Sequence, residues 1–212
     1  GYFGCRDETG NFSRAHLKEA VERYPTVKAI EIKLSQGAKP GVGGFLPSRK
    51  ITLEIAAARG IPLNRDCVSP GSHREFYDAD SLLDFVETLA DETGLPVGIK
   101  SAVGELEFWS DLADKMANTG RGVDFVAIDG GEGGTGAGPL VFTDHVALPF
   151  KVGFNRVYQI FYRAGISESV VFVGSGKLGF PQDDLLAFGL GCDMINVGWE
   201  AMIAISCIQA QR

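Results

Sequence analysis

A few residues have types and spacings that can do chemistry. Lys100 ends an otherwise apolar stretch, Val97-Gly98-Ile99-Lys100. A desolvated ammonium at a strand end can stabilise an anionic ligand, or it can snorkel to solvent. Lys33, Lys39 and Arg59 flank residues 37–44, a loop with four glycines and a proline. Three cations around such a loop suit a dicarboxylate, with Arg59 offering a bidentate guanidinium. A solvated positive patch would have the same composition. Gly174-Ser175-Gly176-Lys177 follows one apolar stretch, and Gly198 ends the next. Backbone N–H groups in such turns can converge on a phosphate, and the pattern also fits an ordinary strand-to-helix turn. Residues 129–136 hold five glycines in eight positions, with Asp129 and Glu132 among them. Glycine lets a backbone approach a ligand closely, and fixed acids favour a ligand loop over a flexible one. His73 and His145 fall in loops and His16 in a surface helix. There is no HxH or HExxH, which speaks against a histidine metal site. Cys207, in an apolar helical run, reads as a small buried hydrophobe.

Elements must position these groups. Ser13 is a plausible N-cap for an amphipathic helix over 14–23. Residues 27–34 (VKAIEIKL) form a strand, 48–59 a helix, and 60–71 a loop. Asp80 is the expected N-cap of a helix over 81–92, stopped by Gly94. Strands at 96–101, 124–129, 169–173 and 194–197 then alternate with helices at 105–118, 151–163, 183–190 and from 201 onward. Strand and helix alternate five times, and the strands read as apolar on both faces, as in a parallel sheet covered by helices. Each strand ends in a polar or glycine turn. A Rossmann sheet concentrates its glycine fingerprint after the first strand. A barrel spreads its site over all strand ends. The expected fold is therefore α/β: about five βα units, the C-terminal part of a (β/α)8 barrel, in one partial domain over 1–212. With a strand stub at Tyr2-Phe3, about three strands are expected upstream of Gly1. Open edges of such an arc would favour a homo-oligomer.

Composition bounds the function. Of 212 residues, 45% are hydrophobic and 22% charged, which excludes wholesale disorder. A net charge of −7, from 27 acids and 20 bases, argues against a general nucleic-acid binder. Glycine, at 28 residues, is the outlier. Four cysteines without CxxC spacing suggest a reducing compartment, hence a cytoplasmic location. No apolar run approaches the roughly 18 residues of a membrane span.

The run Ile30-Glu31-Ile32-Lys33-Leu34-Ser35-Gln36-Gly37-Ala38-Lys39-Pro40-Gly41, with Gly43-Gly44 and Leu46-Pro47, resembles the FMN-binding barrel domain of glutamate synthase. So do Ser69-Pro70 with His73, Pro96-Val97-Gly98-Ile99-Lys100, and Ile128-Asp129-Gly130-Gly131-Glu132-Gly133-Gly134-Thr135-Gly136-Ala137. Gly174-Ser175-Gly176-Lys177 and Cys207-Ile208-Gln209-Ala210 complete the series. The opening Gly1-Tyr2-Phe3-Gly4-Cys5-Arg6-Asp7 is similar to stand-alone members without an amidotransferase domain. The resemblance implies an FMN barrel that reduces 2-iminoglutarate, made from 2-oxoglutarate and ammonia, to L-glutamate, with electrons from a donor the sequence does not name. It implies that Gln36 and Lys100 contact the flavin ring, Lys100 as the catalytic cation at its N1/O2 edge. Gly130, Gly131, Gly174, Ser175, Gly176 and Gly198 would hold flavin and phosphate. Lys33, Lys39 and Arg59 would hold 2-oxoglutarate. Cys207 would be the first of three cysteines on a 3Fe–4S cluster, the other two falling beyond Arg212, so that these residues alone would assemble no cluster. Phe45 stands where the family carries a glutamine, and Gly198-Trp199-Glu200 where it carries an arginine. A non-catalytic flavin- or phosphate-binding subunit, or a flavoenzyme for another oxo or imino acid, are the alternatives.

Overall fold

The structure, a computed structural model, describes residues 2, 4–135 and 138–207. In chain order the elements are α1 (Arg14–Arg23), β1 (Ile30–Lys33), β2 (Phe45–Leu46), α2 (Leu53–Arg59), β3 (Cys67–Val68), α3 (Ala79–Thr93) and β4 (Val97–Ser101). Then come α4 (Glu107–Thr119), β5 (Phe125–Asp129), α5 (Phe150–Arg163), β6 (Val171–Ser175), α6 (Pro181–Leu190), β7 (Met194–Asn196) and α7 (Trp199–Ala204).

Five strands form one parallel sheet in the order β1-β4-β5-β6-β7, and β2 pairs with β3 as a small antiparallel hairpin outside it. The strand order only advances. A doubly wound sheet must reverse direction to put helices on both faces. Right-handed crossovers that always step the same way put every helix on one face, which is the wall of a barrel.

Register and period 2 define the two faces. Ile32 lies beside Ile99, Ile99 beside Val126, and Val126 beside Phe172. This row is buried with Leu82, Phe85 and Val86 of α3, Trp109 and Leu112 of α4, and Phe154 and Phe161 of α5. Each such large apolar side chain stabilises the fold by about 1.5–3 kcal/mol on burial. The opposite face carries Lys33 beside Lys100, Lys100 beside Ala127, and Ala127 beside Val173. Above this row Asp129 lies beside Ser175, and Ser175 beside Asn196. The strands are thus apolar toward the helices and increasingly polar on the other face toward their C-terminal ends, not apolar on both. At their N-terminal ends one device recurs. Asp124 accepts from the Val97 N–H (2.7 Å), and Asp193 from the Phe172 N–H (2.8 Å). Each aspartate precedes the strand adjacent to the one it holds.

Several boundaries differ from the sequence reading. The helix expected over 48–59 is a 3-10 turn, Ser48–Lys50, followed by α2, because Thr52 caps a fresh start by accepting from the Ile55 N–H. The segment expected to be pure loop, 60–71, contributes β3, since Cys67 is buried against Ile51 and Ile61. The N-cap of α3 is Asp78, which makes a capping box with Ser81, so Asp80 lies in the first turn. β6 runs on through Gly174 and Ser175, which pair with Ile128 and Asp129, leaving Gly176 as the first turn residue. α7 starts at Trp199 and ends at Ala204, so Cys207 follows the helix and is only partly buried. Tyr2 lies in no strand, at φ 54°. Gly1, Phe3, Gly136, Ala137 and residues 208–210 of the quoted runs lie outside the described residues.

Candidate functional site

The polar face at the C-terminal end of the sheet gathers the charges. β1 and β4 set Lys33 and Lys100 at paired positions, so both side chains leave the same face as neighbours. Lys33 Nζ donates to Gln36 Oε1 (2.8 Å). The Lys33 ammonium is held below its usual pKa by partial burial first, then by Lys100 and Lys39; Asp129 and Glu31 act in the opposite direction. Three cations therefore face two carboxylates, leaving a net positive site. Such a cluster is relieved by an anionic ligand.

The turn that carries Gln36 is fixed on both sides. Before it, Ser35 Oγ accepts from the Ala102 N–H (2.9 Å) and lies 3.1 Å from Ser101 Oγ, both at the end of β4. After it, the Gly37 N–H donates to Asp129 Oδ2 (2.8 Å) at the end of β5. Ser175 Oγ, at the end of β6, donates to Asp129 Oδ1 (2.9 Å). Asp129 is 6% exposed. The backbones here touch: a Cβ on Gly37 would lie 1.8 Å from the Gly130 carbonyl oxygen. One on Gly176, at φ 129°, would lie 3.1 Å from the Gly130 nitrogen. Glycine at these positions is required by strand-end turns meeting one another.

Behind β1, His73 Nε2 lies 2.8 Å from the Lys33 carbonyl oxygen and Nδ1 lies 2.8 Å from the Tyr2 hydroxyl. A carbonyl can only accept, so Nε2 carries the proton and Tyr2 donates to Nδ1. The ring stacks on Phe76 at 4.9 Å. Burial pushes the His73 pKa down, which keeps it neutral near pH 7. A cavity of about 600 Å³ runs along this edge of β1, with Lys33, Gln36, Lys39, Ser69 and His73 in its wall.

The structure brings Lys33, Lys39, Gln36 and Lys100 together. Arg59 ends α2 and lies outside the wall of this cavity. Gly130 and Gly131 follow β5, and the Gly131 N–H donates to the Leu148 carbonyl. Gly174 faces the helices, where a Cβ would lie 2.9 Å from Cys192 Sγ and from Phe150 Cζ. Ser175 is spent on Asp129. Gly198 precedes α7, and a Cβ placed on it would meet no atom within 4 Å. Near it, Glu200 has a buried Oε2 without a hydrogen-bond partner, and its side chain closes against Gly179. Glu132 accepts from the Phe150 N–H with both oxygens (2.9 Å), capping α5. Among the described residues no three His, Cys, Asp or Glu side chains are grouped to hold a metal, and no helix is long and apolar enough to cross a membrane. Sequence reasoning missed the roles of Asp129, Ser35 and Ser101. Their only sequence signal was a polar residue at the end of an apolar run.

A family model described as a conserved region in glutamate synthase matches residues 9–212. The glutamate synthase large subunit-like protein YerD of Bacillus subtilis is 36% identical over 210 residues, covering 99% of this chain and 40% of that protein. An archaeal glutamate synthase (NADPH) of Methanocaldococcus jannaschii is 37% identical over 179 residues, 84% of this chain and 35% of that one. The chain therefore spans well under half the length of these curated relatives. Among solved structures, a flavocytochrome b2 variant matches 92% of this chain and 42% of its own at TM-score 0.54 and 17% identity. The DHODH of Eimeria tenella matches 94% and 51% at TM-score 0.51 and 15% identity. These two likenesses bear on the fold, and agree with a partial barrel.

Proposed function

We propose, for a chain that belongs to the glutamate synthase family, that it forms part of an FMN-dependent oxidoreductase that reduces 2-iminoglutarate, from 2-oxoglutarate and ammonia, to L-glutamate. The observation that carries this reading is the cross-strand pair Lys33 and Lys100 with Lys39 nearby, a net positive cluster on the face away from the helices. The residues present fit a flavin ring, whose reduced form is an anion. Lys100 supplies a cation and Gln36 an amide on that face. Bound flavin would supply the hydride chemistry. The chain's own residues bind and orient. Lys33 and Lys39 attract the carboxylates of a dicarboxylate. Lys100 stabilises negative charge next to the reacting centre. The phosphate end would fall to the turns at Gly176 and Gly198, because the Gly130 and Gly131 N–H groups donate to the Ser175 and Leu148 carbonyls, Gly174 faces the helices and the Ser175 hydroxyl is bonded to Asp129. Among the described residues no three Cys, His, Asp or Glu side chains are grouped to hold a 3Fe–4S cluster at Cys207, and no step passes through one. The reading requires an electron donor as partner.

The test uses the full-length protein. It should copurify with a flavin, and its reduced form should be reoxidised by 2-oxoglutarate only when ammonia is present. A protein without flavin would leave only a binding role. Reoxidation by a different oxo acid alone would change the substrate.

A further inference from the structure

We propose that Asp129 is a positioning residue of this site: its carboxylate holds residues 35–37 so that Gln36 and the Lys33 ammonium face the ligand. The inference rests on the reading that this face binds an anionic substrate, and it assigns the work to a residue that touches no ligand.

Gln36, which accepts from the Lys33 ammonium, sits in a turn and not on a strand. A turn side chain holds its place only if its backbone is held. Here the two flanking residues are tied to two different strands. Ser35 is bonded to the end of β4, and Gly37 to Asp129 on β5. The second tie is charge-assisted and buried, the stronger kind. It is itself anchored, because Ser175 on β6 fills the other carboxylate oxygen. Asp129 thus ties the turn after β1 to the ends of two strands, over sequence separations of 92 and 46 residues. Gly37 cannot retreat: its α-carbon lies against the Gly130 carbonyl, and any side chain would collide with it.

The same carboxylate acts on the charge. The groups facing Lys33 are Lys100 on β4, Lys39 in the following loop, Asp129 on β5 and Glu31 on β1, with His73 against its carbonyl. Lys100 and Lys39 favour loss of the Lys33 proton. Asp129 and Glu31 favour keeping it. Neutralising Asp129 therefore moves the Lys33 titration to lower pH, and anion binding that needs the ammonium fades at lower pH as well.

Two variants separate position from charge in the full-length protein. Asp129→Asn keeps an oxygen for the Gly37 N–H, and Ser175 can rotate to accept, so the turn stays while the charge goes. Asp129→Ala removes both. We expect Asp129→Ala to weaken 2-oxoglutarate binding roughly tenfold at neutral pH by calorimetry. Asp129→Asn should stay within about threefold of the parent there, with the alkaline loss of affinity setting in at lower pH. Independently of any ligand, the Lys33 Cε resonance should titrate at lower pH in Asp129→Asn than in the parent. If Asp129→Ala does not fold, that resonance decides the action of the carboxylate on Lys33, and the Gly37 amide proton, which should move upfield in Asp129→Asn as its acceptor loses charge, decides whether this side chain holds the turn. An unchanged Lys33 midpoint, or Asp129→Ala binding like the parent, overturns the proposal. A parent that binds no 2-oxoglutarate, with the Lys33 midpoint still displaced, overturns the substrate reading and leaves Asp129's role standing.

Discussion

From β1 to β6 the strand-end turns are tied to one another by Ser35, Ser101, Asp129 and Ser175, every one of them engaged in a hydrogen bond across strands. From β6 to α7 the same rim is built without such ties. A Cβ on Gly198 would meet no atom within contact distance, α7 has no buried residue, and Glu200 keeps a buried oxygen unpartnered. Met202, Ile203 and Ile205 are exposed there. Both halves carry glycines after strands, so composition does not tell them apart. What differs is whether each turn has a polar partner on its neighbour. A low-dielectric network in which every group is satisfied fixes geometry, and one orphaned acceptor does the opposite. The tied half is also where Lys33, Lys39 and Lys100 lie.

The contrast is sharpest at two glycines. Gly37→Ala should destabilise the protein by about 3 kcal/mol, since its Cβ would collide with backbone that cannot move aside. Gly198→Ala should stay within about 0.5 kcal/mol. Denaturant melts of the two variants in the full-length protein measure both, and equal effects would erase the distinction. Next in size is Ser35→Ala. It strips the Ala102 N–H of its acceptor and should lower stability by about 1–2 kcal/mol. It should also weaken 2-oxoglutarate binding, because Gln36 loses the tie on its other flank.

In the untied half, Glu200→Gln replaces an unpartnered carboxylate oxygen with an amide able to donate. If this turn lies at the phosphate end of the flavin, FMN binding should tighten roughly fivefold, about 1 kcal/mol. Quenching of FMN fluorescence on titration reads this out, and an unchanged affinity would place the phosphate away from Glu200. The smallest effect concerns His73. Its pKa is lowered in the folded chain by burial, so below about pH 6.5 the unfolded chain takes up the proton first and stability falls as pH falls. His73→Gln should flatten that loss between neutral pH and about pH 5. A slope unaffected by the substitution would mean that other groups set the acid limit.

Much of this was legible in the residues. Alternation of Ile30 and Ile32 with Glu31 and Lys33 marks a strand, although the strands together read as apolar on both faces, and Gly94 after an amphipathic run marks a helix end. The glycine runs after 129 and 174 signalled close approach, although at Gly37, Gly130 and Gly174 the close neighbours are other parts of the chain. Where local signals compete they misled. Residues 48–59 contain enough helix formers to read as one helix, and only Thr52, a β-branched residue with a capping hydroxyl, divides them. The pairing of residues 45–46 with 67–68 was invisible because two-residue strands have no periodicity to detect.

The sequence by itself determined the alternation of strands and helices, the position of cations and glycines at strand ends, and, through its motifs, the family. These are local properties, set by side-chain period, caps and turn residues. Only the tertiary structure decided that Lys33 stands beside Lys100, that Gln36 answers to Lys33, and that Asp129 joins three strand ends. Register sets the first. The last depends on partners far apart in sequence, whose pairing follows from how the strands are aligned in the sheet and not from any spacing along the chain.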